Sequence, residues 1–232
     1  MRSIAPPNIE SAVRKRYTSL ADGRESLACG GALELAAPTP GEVLVDLGSG
    51  RGGDVTRAVR QLGPKGRAIG IDRTQAMIEK ALSAVRGLAG DLAKVGFVRC
   101  DLAALALRAA STDVVISNCT INHAPDKTAV YREIHRILKP GGRFVVSDII
   151  AQQTLPESVR RNPTAWAACY GGAIPAEEYL AAIATAGFRS VKILQESQPY
   201  QKGGVTIRSM TILGYKEPQP AAASLTEEKG EK

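Results

Sequence analysis

The stretch that most constrains the fold of this 232-residue chain is Val43-Leu44-Val45-Asp46-Leu47-Gly48-Ser49-Gly50-Arg51-Gly52-Gly53. An apolar, β-branched run stops at a glycine-rich turn, and a helical pattern from Asp54 to Gln61 follows at once. Glycines permit positive φ and let another molecule lie against bare backbone, and the free N–H groups of the helix start point at that position. A strand, tight turn and helix in this order form the opening unit of a parallel sheet covered by helices.

The rest of the chain repeats that alternation. Strands are expected at Val43–Leu47, Ala68–Ile71, Val95–Arg99, Asp113–Ser117 and Arg143–Ser147, with an antiparallel edge pair at Ser190–Leu194 and Val205–Tyr215. Helices are expected at Asp54–Gln61, Thr74–Arg86, Lys127–Leu138 and Ala176–Ala186. Thr74 reads as an N-cap, with Met77, Ile78, Ala81, Leu82 and Val85 along one face. Lys139-Pro140-Gly141-Gly142 stops the preceding helix and turns the chain into the fifth strand. The expected fold is therefore α/β: a doubly wound, mainly parallel seven-stranded sheet with helices on both faces. An opening helix, Ile9 to Leu20, precedes the first strand and is placed to cover the mouth of a ligand crevice. We expect one domain over residues 1–216, with residues 1–24 as the lid, and a disordered tail over 217–232.

Composition narrows the class. Hydrophobic residues make up 44% and charged residues 23%, which suits a single soluble domain able to bury its own core. No run approaches the roughly 18 apolar residues that cross a bilayer, and the Met1–Pro7 start lacks the apolar region of a secretory signal. Four cysteines, Cys29, Cys100, Cys119 and Cys169, are too few and scattered for a disulfide scaffold, so a reducing cytoplasm is expected. The net charge of +7 is dispersed, and the tail carries four Glu and two Lys, so the body without it stands at +9. Only ten aromatic residues accompany that charge, which argues against a nucleic-acid partner, and nothing specifies an oligomeric state.

Taken by residue chemistry, Gly48, Gly50 and Gly53 fit the G-x-G-x-x-G pattern of dinucleotide sites, with Asp72 at the expected distance. Asp46 would repel a pyrophosphate and suit a ligand carrying an ammonium group, whereas Arg73 would suit a 2′-phosphate. Asp101 follows the third strand, where it can accept from an adenine amino group or cap a helix over Leu102–Arg108. His123 follows the fourth strand at its carboxyl edge and can act as a general base, or bond backbone as a loop histidine. Cys100 reads as a small buried apolar residue, and Cys119 sits at the crevice edge.

Four motifs together, Asp46-Leu-Gly-Ser-Gly-Arg-Gly-Gly53, Gly70-Ile-Asp72, Asp113-Val-Val-Ile-Ser-Asn118 and Leu138-Lys-Pro-Gly-Gly142, resemble in order and spacing the class I S-adenosylmethionine-dependent methyltransferases. The resemblance covers about residues 10–216 and implies a Rossmann-like methyltransferase fold with S-adenosylmethionine as cofactor. It implies that Asp46 through Gly50, including Gly48 and Ser49, line the methionine portion and that Asp72 binds the ribose, with Arg73 beside it. Asp101 and Leu102 would hold adenine, Asn118 would border the methyl-transfer pocket, and Tyr17 would reach the cofactor from the opening helix.

The segments Ile116-Ser-Asn-Cys119-Thr-Ile-Asn122-His-Ala-Pro-Asp126-Lys127, Arg143-Phe-Val-Val-Ser-Asp148 and Ala165-Trp-Ala-Ala-Cys169-Tyr-Gly-Gly-Ala-Ile-Pro175 are similar to the arsenite methyltransferases in particular. That resemblance implies a small-molecule methyl acceptor, a thiol-bound metalloid such as arsenite, whose lone pair attacks the methyl group without a general base. Cys169 occupies the position of a family arsenic ligand, and Cys29 lies where the family carries N-terminal cysteines. The family cysteine just inside the helix after the glycine loop falls on Val55, and no cysteine follows Cys169, so glutathione or another thiol would complete a shell of about three sulfur donors. No resident metal is implied. The alternatives are a C- or O-methyltransferase of a quinone-like or secondary metabolite, with His123 as base, and a non-catalytic S-adenosylmethionine-binding protein.

Overall fold

The computed structural model describes residues 8–23, 30–88, 90 and 92–218. Strands β1 (Val43–Leu47), β2 (Arg67–Asp72), β3 (Lys94–Arg99), β4 (Thr112–Asn118) and β5 (Leu138–Ala151) form a parallel array in the order β3-β2-β1-β4-β5. Three later strands, β6 (Ser190–Glu196), β7 (Tyr200–Lys202) and β8 (Val205–Tyr215), extend it in antiparallel fashion, with β8 pairing β5, β6 and β7. Among the described residues the sheet thus has eight strands, one more than the seven expected, because the short β7 hairpins onto β8 through Gly203 and Gly204.

Alternation along β1 explains why both sheet faces are covered. Leu44 points into a cluster with Leu33, Val55, Val59, Leu62 and Val145, beneath α2 (Ala32–Ala36) and α3 (Gly53–Leu62). Val45 and Leu47 point the opposite way, into Val130, Tyr131, Ile134, Phe144, Tyr179 and Phe188 beneath α5 (Lys127–Ile137) and α8 (Ala176–Thr185). Each of these fully buried side chains contributes about 1.5–3 kcal/mol of transfer free energy, which makes the central strands a rigid base for the loops at their carboxyl ends.

Helix α4 (Gln75–Val85) lies beside α3, and its buried stripe is Met77, Ile78 and Ala81. Leu82, expected on that stripe, is 42% exposed: the helix lies over the edge of the sheet, so its contact face is narrower than the apolar pattern. Thr74 does stand at the N-cap, but its side chain makes no capping bond; its backbone N–H instead donates to Asp72 Oδ1 at 2.8 Å. The expected helix over Leu102–Arg108 is absent, because Asp101 Oδ1 accepts from the Ala103 N–H at 2.8 Å and closes a local turn. The Lys139–Gly142 turn belongs to β5 itself as an irregularity in its pairing with β4.

Helix α1 (Ile9–Leu20) has the bounds read from sequence. Its Ile9 and Val13 pack on Trp166 and Ala167 of α7 (Pro163–Ala167), which follows the short α6 (Glu157–Arg160). The expected tail lies outside the described residues from 219 onward, as does Cys29. Among the described residues no helix is long and apolar enough to cross a membrane.

Candidate functional site

The topological switch lies where β1 pairs β2 on one side and β4 on the other, and open α/β sheets bind ligands at the carboxyl ends of such strands. A cavity of about 360 Å³ opens there. Its floor is the glycine loop, with Gly48 at φ +75° and Gly50 at φ +52°. The N–H groups of Gly48 and Ser49 both donate to Ile71 O, at 2.8 and 2.9 Å, which staples the loop to β2. A Cβ on Gly48 would stand 2.1 Å from Thr120 Oγ1, so only glycine lets the loop approach the chain beyond β4 this closely.

Asp72 ends β2 with its carboxylate turned back on the loop: Oδ2 accepts from Gly50 N at 3.0 Å and Oδ1 from Thr74 N. Burial pushes its carboxyl pKa up, and those backbone N–H bonds oppose the shift. Arg73 is engaged elsewhere, with Nη2 2.5 Å from Glu10 Oε1 on α1 and 3.0 Å from Asp101 Oδ2. The cavity wall therefore carries Glu10, Asp72, Asp101 and Asp126 against one arginine already held by two of them. Such a wall suits a cation-bearing ligand and opposes the pyrophosphate and 2′-phosphate of a dinucleotide.

The expected cofactor residues Tyr17, Gly48, Gly50, Asp72, Arg73, Asp101, Leu102 and Asn118 all reach this one cavity. Asp46 and Ser49 do not line it. Strand alternation puts Asp46 on the Leu44 face, where it is 4% exposed; burial and then the Asp54 and Asp72 carboxylates raise its pKa well above the usual range. Bare glycine backbone, the strand-end carboxylate of Asp72 and apolar Leu102 in one cavity fit a nucleoside ligand such as S-adenosylmethionine.

At the inner end, β4 finishes at Asn118, whose Nδ2 donates to Asp54 Oδ2 at 2.8 Å. Cys119 then takes φ +53° while its N–H donates to Ser147 O at 2.8 Å, and a 3-10 turn, Ile121–His123, follows. Cys169, on the loop after α7, also has positive φ, +72°, and is 8% exposed. Two buried non-glycine residues in this conformation store strain, which is concentrated at functional sites. Tyr17 OH lies 3.1 Å from His123 Nε2 and 3.4 Å from Cys169 Sγ, and Cys169 Sγ lies 3.4 Å from His123 Nε2. The structure brings together a tyrosine of α1, a loop histidine and a thiol that are at least 46 residues apart in sequence.

Burial is the main cause that pushes the His123 pKa down to about 4, and the nearby Lys127, Arg73 and Arg16 cations add to it. Burial also raises Tyr17, so the imidazole and the phenol are both neutral at physiological pH. Cys119 lines the cavity and shares an apolar cluster with Cys169, Ile149, Val205 and Ile207. Cys100 is half-buried against the main core, away from this group, and Val55, on the inner face of α3, is buried.

Sequence reasoning missed Glu10, Thr120, Lys127 and Asp148 as shapers of the site. The Ile9, Val13, Tyr17 spacing at i, i+4, i+8 marks the inward face of α1 and so could have located Tyr17's neighbours, Glu10 included. Burial of the Lys127 and Asp148 charges is a tertiary outcome with no local pattern.

A family model described as a methyltransferase domain matches residues 38–205. The arsenite methyltransferase of Halobacterium salinarum is 38% identical over 181 residues, covering 78% of this chain and 46% of that protein. That of Aquipseudomonas alcaligenes is 34% identical over 173 residues, covering 71% and 49%. The crystal structure of CrArsM, an arsenic(III) S-adenosylmethionine methyltransferase from Chlamydomonas reinhardtii, superposes with a TM-score of 0.75 at 30% identity, covering 93% of this chain and 76% of that one. The chain spans about half the length of these curated relatives.

Proposed function

The chain belongs to the class I S-adenosylmethionine-dependent methyltransferases, close to the arsenite methyltransferases, and from that premise we propose that it methylates a small acceptor, thiol-bound trivalent arsenic. The observation that carries this reading is the convergence of Cys169 with Tyr17 and His123 beside Cys119, at the inner end of the cavity.

In this reading the backbone of Gly48 and Gly50 holds the methionine end of the cofactor, Asp72 the ribose hydroxyls, and Asp101 with Leu102 the adenine. When bound, S-adenosylmethionine supplies an electrophilic methyl group on a sulfonium. Asn118 borders the transfer position, and Tyr17 closes it from α1 and excludes water.

Arsenite is captured by ligand exchange. The Cys169 and Cys119 sulfurs form two As–S bonds, two As–O bonds break, and the two thiol protons leave with the hydroxides as water. His123 Nε2, 3.4 Å from Cys169 Sγ and neutral, is placed to orient the thiol by hydrogen bonding, while the thiol proton passes directly to the departing hydroxide. Cys29, or a small thiol such as glutathione, supplies the remaining sulfur. Arsenic then presents its own lone pair, so no base acts in the transfer itself, and holding the reacting atoms in line can supply about 7–11 kcal/mol.

Two further observations support a small acceptor over a quinone. A cavity of about 360 Å³ sits near the lower end of the range of ligand pockets, about 300–1,000 Å³, and must also take the cofactor. A histidine with a pKa of about 4 is a poor base for an oxygen or carbon acid. Reduced thiols place the reaction in the cytoplasm, with residues 1–216 as the catalytic unit, residues 1–24 as its lid and 217–232 as a tail.

The test is incubation with S-adenosylmethionine, arsenite and glutathione, reading methylated arsenic and S-adenosylhomocysteine. Product from wild type and none from Cys119→Ser/Cys169→Ser is expected. No methylarsenic from wild type, or full activity in the double variant, overturns the reading; cofactor binding with no acceptor turned over would make the protein a sensor.

A further inference from the structure

Lys127 opens α5 immediately after Asp126, whose Oδ1 caps the helix by accepting from the Ala129 N–H at 2.9 Å. Its position is electrostatically adverse twice over. A cation at a helix N-terminus meets the positive end of the helix dipole, and this one is only 6% exposed. Among the described residues no carboxylate lies within 4.0 Å of it. A methionine would fill the same space without that penalty.

Its bonds explain what the charge does there. Nζ donates to Gly172 O at 2.6 Å and to Ala124 O at 3.4 Å. Gly172 lies three residues beyond Cys169, and Ala124 follows His123 directly. The ammonium therefore bridges the two loops whose side chains meet at the site. The Trp166 ring centroid lies 5.9 Å from Nζ, on the helix that leads into the Cys169 loop. The joint it closes is tight: a Cβ on Gly172 would stand 2.0 Å from Asn122 O.

The other side of the His123 turn is fixed by an anion. Asp148 accepts from Asn122 N at 3.0 Å, from Asn122 Nδ2 at 2.9 Å and from Tyr179 OH at 3.2 Å. The 3-10 turn is thus gripped between a buried carboxylate behind it and a buried ammonium that ties it to the Cys169 loop. Lys127 does not reach the cavity wall.

We propose that Lys127 is a positioning residue, whose buried ammonium clamps the Cys169 loop onto the turn carrying His123 and so sets the thiol–imidazole geometry. Its consequence for thiol capture rests on the arsenical reading above; the clamp itself does not.

The experiment compares wild type, Lys127→Met and Lys127→Arg in three measurements. These are hydrogen exchange of the Trp166–Ala173 segment, calorimetric affinity for S-adenosylmethionine, and capture of phenylarsine oxide, which loses its oxygen as water on bridging two thiols. In the Met variant, segment exchange speeds about tenfold or more, arsenical capture weakens by a similar factor, and cofactor affinity stays within about threefold. The Arg variant, which keeps cation and donors, restores both to within about threefold of wild type. Should the Met variant not fold, Lys127→Gln, with a donor but no charge, takes its place and lies between the two. Unchanged segment exchange in a folded neutral variant overturns the proposal. So does faster exchange across the whole sheet with loss of cofactor binding, or an Arg variant that folds without restoring the segment. Wild type failing to capture phenylarsine oxide counts against the arsenical reading alone, and the exchange data still decide the clamp.

Discussion

Placing a methyl group on either of two glycines in the same loop should have opposite principal effects. Gly48 and Gly50 both hold positive φ, +75° and +52°. An alanine in that region carries about 1–2 kcal/mol of backbone strain at either site. The surroundings differ. At Gly48 the new Cβ would stand 2.1 Å from Thr120 Oγ1 and 2.6 Å from Thr120 Cβ. Thr120 cannot retreat cheaply, because its hydroxyl donates to Asn118 O at 3.0 Å and it directly follows the strained Cys119. Overpacking of this kind adds about 1–3 kcal/mol. The total for Gly48→Ala is then about 2–5 kcal/mol, and at about 2–4 °C per kcal/mol for a chain of this size the Tm falls by roughly 4–20 °C. At Gly50 a Cβ meets nothing within 4 Å, so Gly50→Ala carries only the strain and lowers the Tm by about 2–8 °C. That open space borders the cavity Gly50 lines, so the methyl group takes volume from the ligand, and S-adenosylmethionine affinity drops at least tenfold. Thermal melts followed by circular dichroism and calorimetric titration separate the two. Equal Tm losses, a Gly48→Ala protein melting within about 2 °C of wild type, or undiminished affinity in Gly50→Ala would refute the reasoning.

Further outcomes follow from the same geometry. The folded-state pKa of His123, about 4, lies below the usual 6.5 of an imidazole, so the unfolded chain binds that proton more tightly; stability present above pH 6.5 is lost as pH falls toward 4, by on the order of 3 kcal/mol. Melts of His123→Leu between pH 4 and 7 should lack that loss. Asp46 has a raised pKa, so its cost to the fold grows as pH rises from 3.8 through the folded value; Asp46→Asn should gain stability over wild type at pH 8 and match it near pH 4 in the same melts. The Glu10–Arg73 pair joins α1 to the end of β2, but the Glu10 side chain is 78% exposed. Glu10→Gln should therefore speed S-adenosylmethionine dissociation less than about fivefold, an effect that stopped-flow fluorescence should see vanish at high salt.

The parts of the fold legible in sequence are those specified locally. The β1–glycine–α3 unit, the four other parallel strands and helix α1 follow from apolar periodicity and turn chemistry, which act over a few residues. Strand β7 escaped because three residues carry no periodicity; the available signal was the Gly203-Gly204 pair, whose φ values of +60° and +78° make a two-residue hairpin turn. The Asp101 expectation failed because a side-chain bond to Ala103 N–H competes with helix continuation as readily as it caps one. Leu82 shows the limit of an apolar stripe, which gives the face of a helix but not the width of what it meets. At the site, the glycine loop and strand-end acids could be read as a binding floor. The grouping of Tyr17, His123 and Cys169 could not, since it depends on how α1 and the loop after α7 fold back over β4.

The most direct test of the account is a competition in one tube. Wild-type protein with methyl-¹³C-labelled S-adenosylmethionine, glutathione, and equimolar arsenite and a naphthoquinone should place the label on arsenic, while Cys169→Ser should leave it on the cofactor. Label on the quinone, or on arsenic at an equal rate in the serine variant, would contradict the claim that this cavity presents a thiol-held metalloid to the methyl group.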